Sequence, residues 1–305
     1  MTDSTDDYLR QPVGPARAFT LLTGRRAEGI RRLRGSGNEH WMVRAGTEQL
    51  VLRRFNRRHD HASIAWEFQI ISELADRSWP VASAVAGPED IGHETWALLR
   101  RLPGRQMRTT TRTSHQRGQL LARLHDELFG IDVAQRPDWQ RHDVAALAIL
   151  EELDEAADAI SERWRDRASE LIPAITDFAY RTADALSALD LSTLPSSAVH
   201  GDLMPWNILT TGGTVSGVLD FEKAHVDLHA TDLAFATWGG RYESDVLAGY
   251  LSARALPSVD PSVLRTLWAG TCLAALHRHL SMRRLGRTAG GLGWAVEHAL
   301  RPWGP

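Results

Sequence analysis

The most constraining feature of the chain is an island at residues 198–224, AVHGDLMPWNILTTGGTVSGVLDFEKA, set in a largely helical stretch. Two brief apolar runs, Ile208 to Leu209 and Val215 to Phe221, flank a Thr-Gly-Gly turn, the pattern of a small hairpin. An acid, an amide and a second acid lie at the mouths of its strands. Asp202 sits in His200-Gly201-Asp202, Asn207 follows after four intervening residues, and Asp220 opens Asp220-Phe221-Glu222. The hairpin brings Asn207 and Asp220 within reach of shared metal ions, and Pro205 stiffens the loop before Asn207. Phosphoryl transfer needs such a set. One carboxylate takes the proton of an attacking hydroxyl, while an amide oxygen and a second carboxylate hold magnesium, which prefers hard oxygen ligands.

The surrounding pattern splits the chain in two. Residues 1–17 lack periodicity and read as an irregular tail. From Ile30 to Phe55 the chain reads as strand, Gly turn, strand, turn at Ala45-Gly46, strand. Ile64, Phe68, Ile71 and Leu74 then recur at helical spacing, with Ser63 placed to cap that helix. Val81 to Ala86 and Trp96 to Leu102 read as strands, and Pro103-Gly104 marks the boundary between a segment at 18–102 and one at 103–305. Beyond it, 115–129, 144–160 and 164–191 carry helical periodicity, and the chain is helical again from Asp232.

Composition narrows the class. The 305 residues are 43% hydrophobic and 24% charged, a globular balance. The single cysteine, Cys272, excludes an intramolecular disulfide and a Cys-rich zinc site. A net charge of -3 gives no case for nucleic-acid binding. No apolar stretch reaches the roughly 18 residues of a membrane span, and the acidic, polar start is unlike a signal peptide. A cytoplasmic protein with no nucleic-acid, membrane or protein partner is expected. Of the 35 basic residues only Lys223 is a lysine, so a cation needed elsewhere must be arginine.

H-G-D-x-x-x-x-N followed by D-F-E resembles the aminoglycoside phosphotransferase and choline kinase superfamily, small-molecule kinases that share the protein-kinase fold. The resemblance spans about residues 28–240 and is most specific at HGDLMPWN. It implies an α+β, protein-kinase-like, bilobal fold with a small β-rich N-lobe and a larger, mostly helical C-lobe. It makes Asp202 the catalytic base, Asn207 and Asp220 the Mg2+ ligands, and Asp232 of Asp232-Leu233-Ala234 a brace for the catalytic loop. ATP would donate its γ-phosphate to a small-molecule hydroxyl acceptor. Gly35, Ser36 and Gly37 lie between two strands and would offer backbone N–H groups to phosphate. No G-x-x-x-x-G-K-[ST] segment is present, which disfavours a P-loop fold. Arg53 stands at the family's usual lysine position on the third strand, and Glu67 matches its helix partner. Arginine keeps the charge in a bulkier planar fork. Strand alternation puts Arg53 and Arg54 on opposite faces without saying which faces in. Backbone groups around Arg100 to Leu102 would meet the adenine edge.

Three acceptor readings follow: an antibiotic kinase, favoured at this point; a metabolic kinase for homoserine, choline or a sugar; or a nucleotide-binding pseudokinase. About ten residues separate D-F-E from D-L-A, leaving no room for the segment that docks peptides in protein kinases. Residues 261–305 carry one acid, Glu297, against Arg265, Arg278, Arg283, Arg284, Arg287 and Arg301. That balance argues against a polycationic aminoglycoside.

Overall fold

The computed structural model describes residues 13–33, 37–56, 60–237, 242–256, 260–286 and 292–299. The chain divides into two compact units: Met1–Met107 with Trp206–Glu222, and Arg108–Pro205 with Lys223–Pro305. The island's hairpin thus groups with the β-rich first unit, whereas the division expected at 102/103 placed it in the second segment.

In the first unit, helix α1 (Pro15–Thr23) begins within the span expected to be an irregular tail. Pro15 suits the first helical turn, where no backbone N–H is required, and Gly24 (φ 69°) ends the helix. Strands β1 (Gly29–Arg32), β2 (Glu39–Ala45), β3 (Glu48–Arg54), β4 (Ala84–Ile91) and β5 (Glu94–Arg100) form an antiparallel sheet in the order β1-β2-β3-β5-β4. The expected strand at 81–86 starts later, at Ala84; Val81 instead makes an isolated bridge to Val218. Helix α2 (His61–Asp76) follows β3. Its cap is Asp60, whose carboxylate accepts the Ser63 N–H at 2.7 Å; Ser63 itself lies buried inside the first turn.

The pleat assigns the faces of this sheet. Leu50, Leu52, Trp96 and Leu98 pack with Trp41, Val43 and Phe19 on one side. Val51, Ala97 and Leu99 pack with Phe55, Ile64 and Phe68 on the other, against α2. Arg53 shares the parity of Val51 and therefore faces α2. Strand β6 (Arg105–Gln106) and the hairpin β8 (Ile208–Thr211) and β9 (Thr214–Val218) make a three-stranded sheet in the order β6-β8-β9.

The second unit is mostly helical: α3 (Thr111–Phe129), α4 (His142–Ala148), α5 (Leu153–Arg163), α6 (Ala168–Ser187), α7 (His229–Thr237), α8 (Glu243–Ala253), α9 (Pro261–Arg284) and α10 (Leu292–Ala299). A 3₁₀ turn at Ile149–Glu152 breaks the continuous helix expected over 144–160. Helices α3 and α8 cross closely. A Cβ on Gly118 would lie 2.0 Å from the Val246 carbonyl, and one on Gly249 2.0 Å from the His115 carbonyl. A two-stranded ribbon, β7 (Ser196–Val199) with β10 (His225–Leu228), flanks His200-Gly201-Asp202 and was not anticipated. Ser196 and Ser197 weaken β7's apolar signal, and β10 buries His225 and Asp227. No described helix is long and apolar enough to cross a membrane.

Candidate active site

In the first unit, Arg53 is 3% exposed and its Nη1 donates to Glu67 Oε1 at 2.6 Å. Glu67 is fully buried. Burial works against the Arg53 charge, but Glu67, Asp220 and Glu222 hold the guanidinium above its ordinary range. Its Nη2 stands 3.6 Å from Glu222 Oε2. Neither Nη2 nor Nε has a hydrogen-bond partner among the described residues. His40, opposite Arg53 across β2 and β3, is pushed down to about 4 by burial and by the Arg53 charge. Arg54 takes the other face, pairing with Glu39 and Glu94 and lying over Trp41 and Trp96. It lines a cleft of about 470 Å³ with Gly37, Phe55, Asn56, His93 and Thr95.

Gly35 and Ser36 lie outside the described residues. Gly37 has φ +92°, a conformation open to glycine. Next to it, Asn38 does what the sequence did not reveal. Its amide donates to Glu222 Oε2 at 2.6 Å, and its oxygen accepts the Asn56 N–H at 2.9 Å. Glu222 thereby joins Asn38 to the Arg53–Glu67 pair. Of the backbone groups expected at the adenine edge, the Arg100 N–H donates to Ser83 O at 2.9 Å. Leu102 approaches Gly217 of β9: a Cβ on that glycine would lie 2.9 Å from Leu102 Cδ1.

The hairpin aligns Asn207 with Asp220. Ile208 pairs with Val218, and the Leu219 N–H donates to Asn207 O at 2.8 Å, so both side chains emerge at the open end. Asn207 is buried, while Asp220 is exposed and has φ +65°, a left-handed conformation that few residues other than glycine tolerate.

In the second unit, Asp202 is 9% exposed. Three layers fix its loop. The Asp202 N–H donates to His200 Nδ1 at 3.2 Å. The Asp232 carboxylate accepts the N–H groups of His200 and Gly201, each at 3.1 Å. His125 Nε2 meets Asp232 at 3.1 Å, and its Nδ1 meets the Tyr250 hydroxyl at 2.9 Å. Burial alone would raise the Asp232 carboxyl, yet the His125 hydrogen bond and neighbouring histidines hold it below the usual carboxylate range. Gly201 has φ +74°, and a Cβ there would lie 2.4 Å from the Lys223 carbonyl, so the loop needs glycine to pack on that backbone. Lys223 Nζ donates to Asp202 Oδ2 at 3.0 Å.

A family model for the phosphotransferase enzyme family matches residues 29–267, which takes in the Arg53–Glu67 pair, the braced loop and the hairpin. The chain belongs to this family. It is a small-molecule kinase, with the mixed α+β, protein-kinase-like fold of its structural neighbours. A homoserine kinase of Rhizobium rhizogenes is 26% identical over 289 residues, covering 89% of this chain and 84% of that protein. A homoserine kinase of Granulibacter bethesdensis is 25% identical, covering 89% and 85%. Among solved structures, spectinomycin phosphotransferase in complex with ADP and spectinomycin superimposes with a TM-score of 0.63 at 12% identity, over 97% of this chain and 96% of that one. Macrolide 2'-phosphotransferase from Brachybacterium faecium gives 0.59 at 20% identity, over 94% and 98%. The microcompartment-associated aminopropanol kinase gives 0.56 at 19%, over 89% of each.

Proposed function

We propose that this phosphotransferase moves the γ-phosphate of ATP, with magnesium, to the hydroxyl of a small metabolite. The observation that carries the reading is the buried Arg53–Glu67 pair. It leaves Arg53 Nε and Nη2 without a hydrogen-bond partner among the described residues. Buried donors are nearly always satisfied, so these two fit an incoming phosphate, which a guanidinium can grip with two parallel bonds. Arg53 thus takes the clamp role of the family's lysine, and Glu67 fixes its direction. Gly37 offers its backbone N–H to phosphate, and backbone near Leu102 meets the base. Asn207 and Asp220 are an oxygen-donor pair suited to magnesium. Bound ATP supplies the phosphoryl group, and magnesium disperses its charge. Asp202 accepts the acceptor's hydroxyl proton as the hydroxyl oxygen bonds to γ-phosphorus and the bond from γ-phosphorus to ADP breaks.

The preference for an antibiotic acceptor gives way to a metabolic one. Structural neighbours below 25% identity include both kinds, so the fold does not choose. Curated relatives that align over 89% of the chain include homoserine kinases. The arginines of α9 do not decide the matter. Arg283 and Arg284 pair with Glu162, Glu155 and Glu152, while Arg278 donates to Asp138 O and stacks on Trp139. Coupled ADP release across hydroxy amino acids, amino alcohols, sugars and antibiotics tests the reading. Turnover confined to antibiotics would refute the metabolite assignment. Nucleotide binding with no turnover on any acceptor would point to a pseudokinase.

A further inference from the structure

Resting on the phosphotransferase reading, we infer that the second unit holds an anion-binding subsite beside Asp202, built on Lys223, and that the acceptor is a small hydroxy acid. Lys223 is the chain's one lysine, although arginine serves at the 34 other basic positions. Its Nζ lies 3.0 Å from Asp202 Oδ2 and 5.4 Å from the centre of the Phe235 ring. The side chain is 42% exposed, while the Asp202 side chain is 13% exposed. An ammonium has three donors, and one goes to Asp202. The Gly201 backbone presses on the Lys223 backbone, so the position of the ammonium relative to the base is set by main-chain packing as well as by the ion pair.

A second cation supports the same loop. Arg117 is 7% exposed; its Nη2 donates to Ala236 O at 2.9 Å, and its Nη1 lies 3.3 Å from Met204 Sδ. Met204 in turn donates its N–H to Asp202 O at 2.7 Å. Arg117 Nε has no hydrogen-bond partner, and no carboxylate pairs with this guanidinium among the described residues. Its charge is therefore disfavoured by burial, which pushes it down to about 10. Buried cations are normally neutralised by a partner. Around the Asp202 loop the described residues thus supply two cations, Lys223 on Asp202 and Arg117 buried without a carboxylate, while the Asp232 carboxylate is taken up by the loop's own N–H groups and by His125. An acceptor carrying its own anion completes the balance.

The distances also limit that acceptor. A hydroxyl about 2.7 Å from Asp202 Oδ2 and an anionic oxygen about 2.8 Å from Nζ, joined through the 3.0 Å ion pair, lie no more than about 8.5 Å apart. A β- or γ-hydroxy acid meets this limit. The hydroxyl takes Asp202 and the carboxylate takes Lys223.

The test uses acceptor pairs that differ only by a carboxylate: L-homoserine against 3-aminopropan-1-ol, and L-threonine against 1-aminopropan-2-ol. Wild-type enzyme should favour the acid of at least one pair by about tenfold or more in kcat/KM, the scale of one well-placed charge contact. Lys223→Met should cut the acid-over-alcohol ratio of kcat/KM about tenfold, whatever it does to the rate common to both, and Lys223→Arg should retain the preference. If Lys223 only keeps Asp202 ionised, both members of a pair fall together, and that result overturns the subsite. Preference for the alcohol in both pairs overturns it as well. Absence of phosphoryl transfer to every acceptor would refute the phosphotransferase reading instead. The subsite is then read by calorimetry: tighter binding of the acid by wild type than by Lys223→Met upholds it, and equal binding rejects it.

Discussion

Removing Arg53 separates what this residue does for stability from what it does for nucleotide. Its partner Glu67 is fully buried, so Arg53→Met leaves a carboxylate in the sheet–helix interface with no counter-charge. Breaking a buried pair in this way destabilises by about 3–5 kcal/mol, a large share of a typical total of about 5–15 kcal/mol. At about 2–4 °C per kcal/mol, Tm should drop by about 6–20 °C. The double variant Arg53→Met/Glu67→Leu removes both charges and places apolar groups beside Phe55, Ile64 and Phe68. It should recover most of the lost stability, since well-packed apolar residues replace buried ion pairs at little or no cost. It should not recover nucleotide. The KM for ATP should stay raised in both variants, because the donors Nε and Nη2 are gone. Urea denaturation and ATP titration of the three proteins give the answer. A single variant as stable as wild type, or a double variant with wild-type KM for ATP, would refute the clamp.

Asp202→Asn should lower kcat by at least about 10²-fold while nucleotide affinity, read by equilibrium titration, changes little; half of wild-type turnover would rule out the base. Asp220→Ala should abolish the magnesium dependence of ATP binding and Asn207→Ala should weaken it, whereas unchanged magnesium midpoints in both would reject the ligand pair. Stability should fall as pH drops from about 6.5 towards 4. His40 and His229 are held neutral when folded, near about 4 and about 3, so the unfolded chain binds more protons in that window. The carboxyls of Asp227 and Asp232 are held low when folded and lose stability only at more acidic pH. Urea midpoints at pH 7.5, 6 and 5 check the trend, and His40→Gln should flatten it.

What the sequence disclosed was chemistry at fixed spacing. H-G-D-x-x-x-x-N and D-F-E define their hairpin through its turn residues and two short apolar runs. The Arg53 register was ambiguous because adjacent arginines fit either face of a strand. Only the packing of α2 against Val51, Ala97 and Leu99 settled it. The β7–β10 ribbon escaped because its interior is polar: Asp227 accepts from His142 and His225, so burial there is satisfied by hydrogen bonds and leaves no apolar alternation. Asn38 and Lys223 were legible as residues but not as partners, since their contacts span 184 and 21 residues of sequence. Asp60 outcompeted Ser63 as a cap because it lies one position before the first helical residue, where its carboxylate accepts the N–H of Ser63.

The most direct test of the central claim is transfer of label from [γ-³²P]ATP to L-homoserine and to 3-aminopropan-1-ol by wild-type enzyme and Asp202→Asn. The account predicts a labelled phosphoester with wild type, more from the acid than from the alcohol, and at least about a hundredfold less from Asp202→Asn. Equal labelling by the two proteins would contradict it.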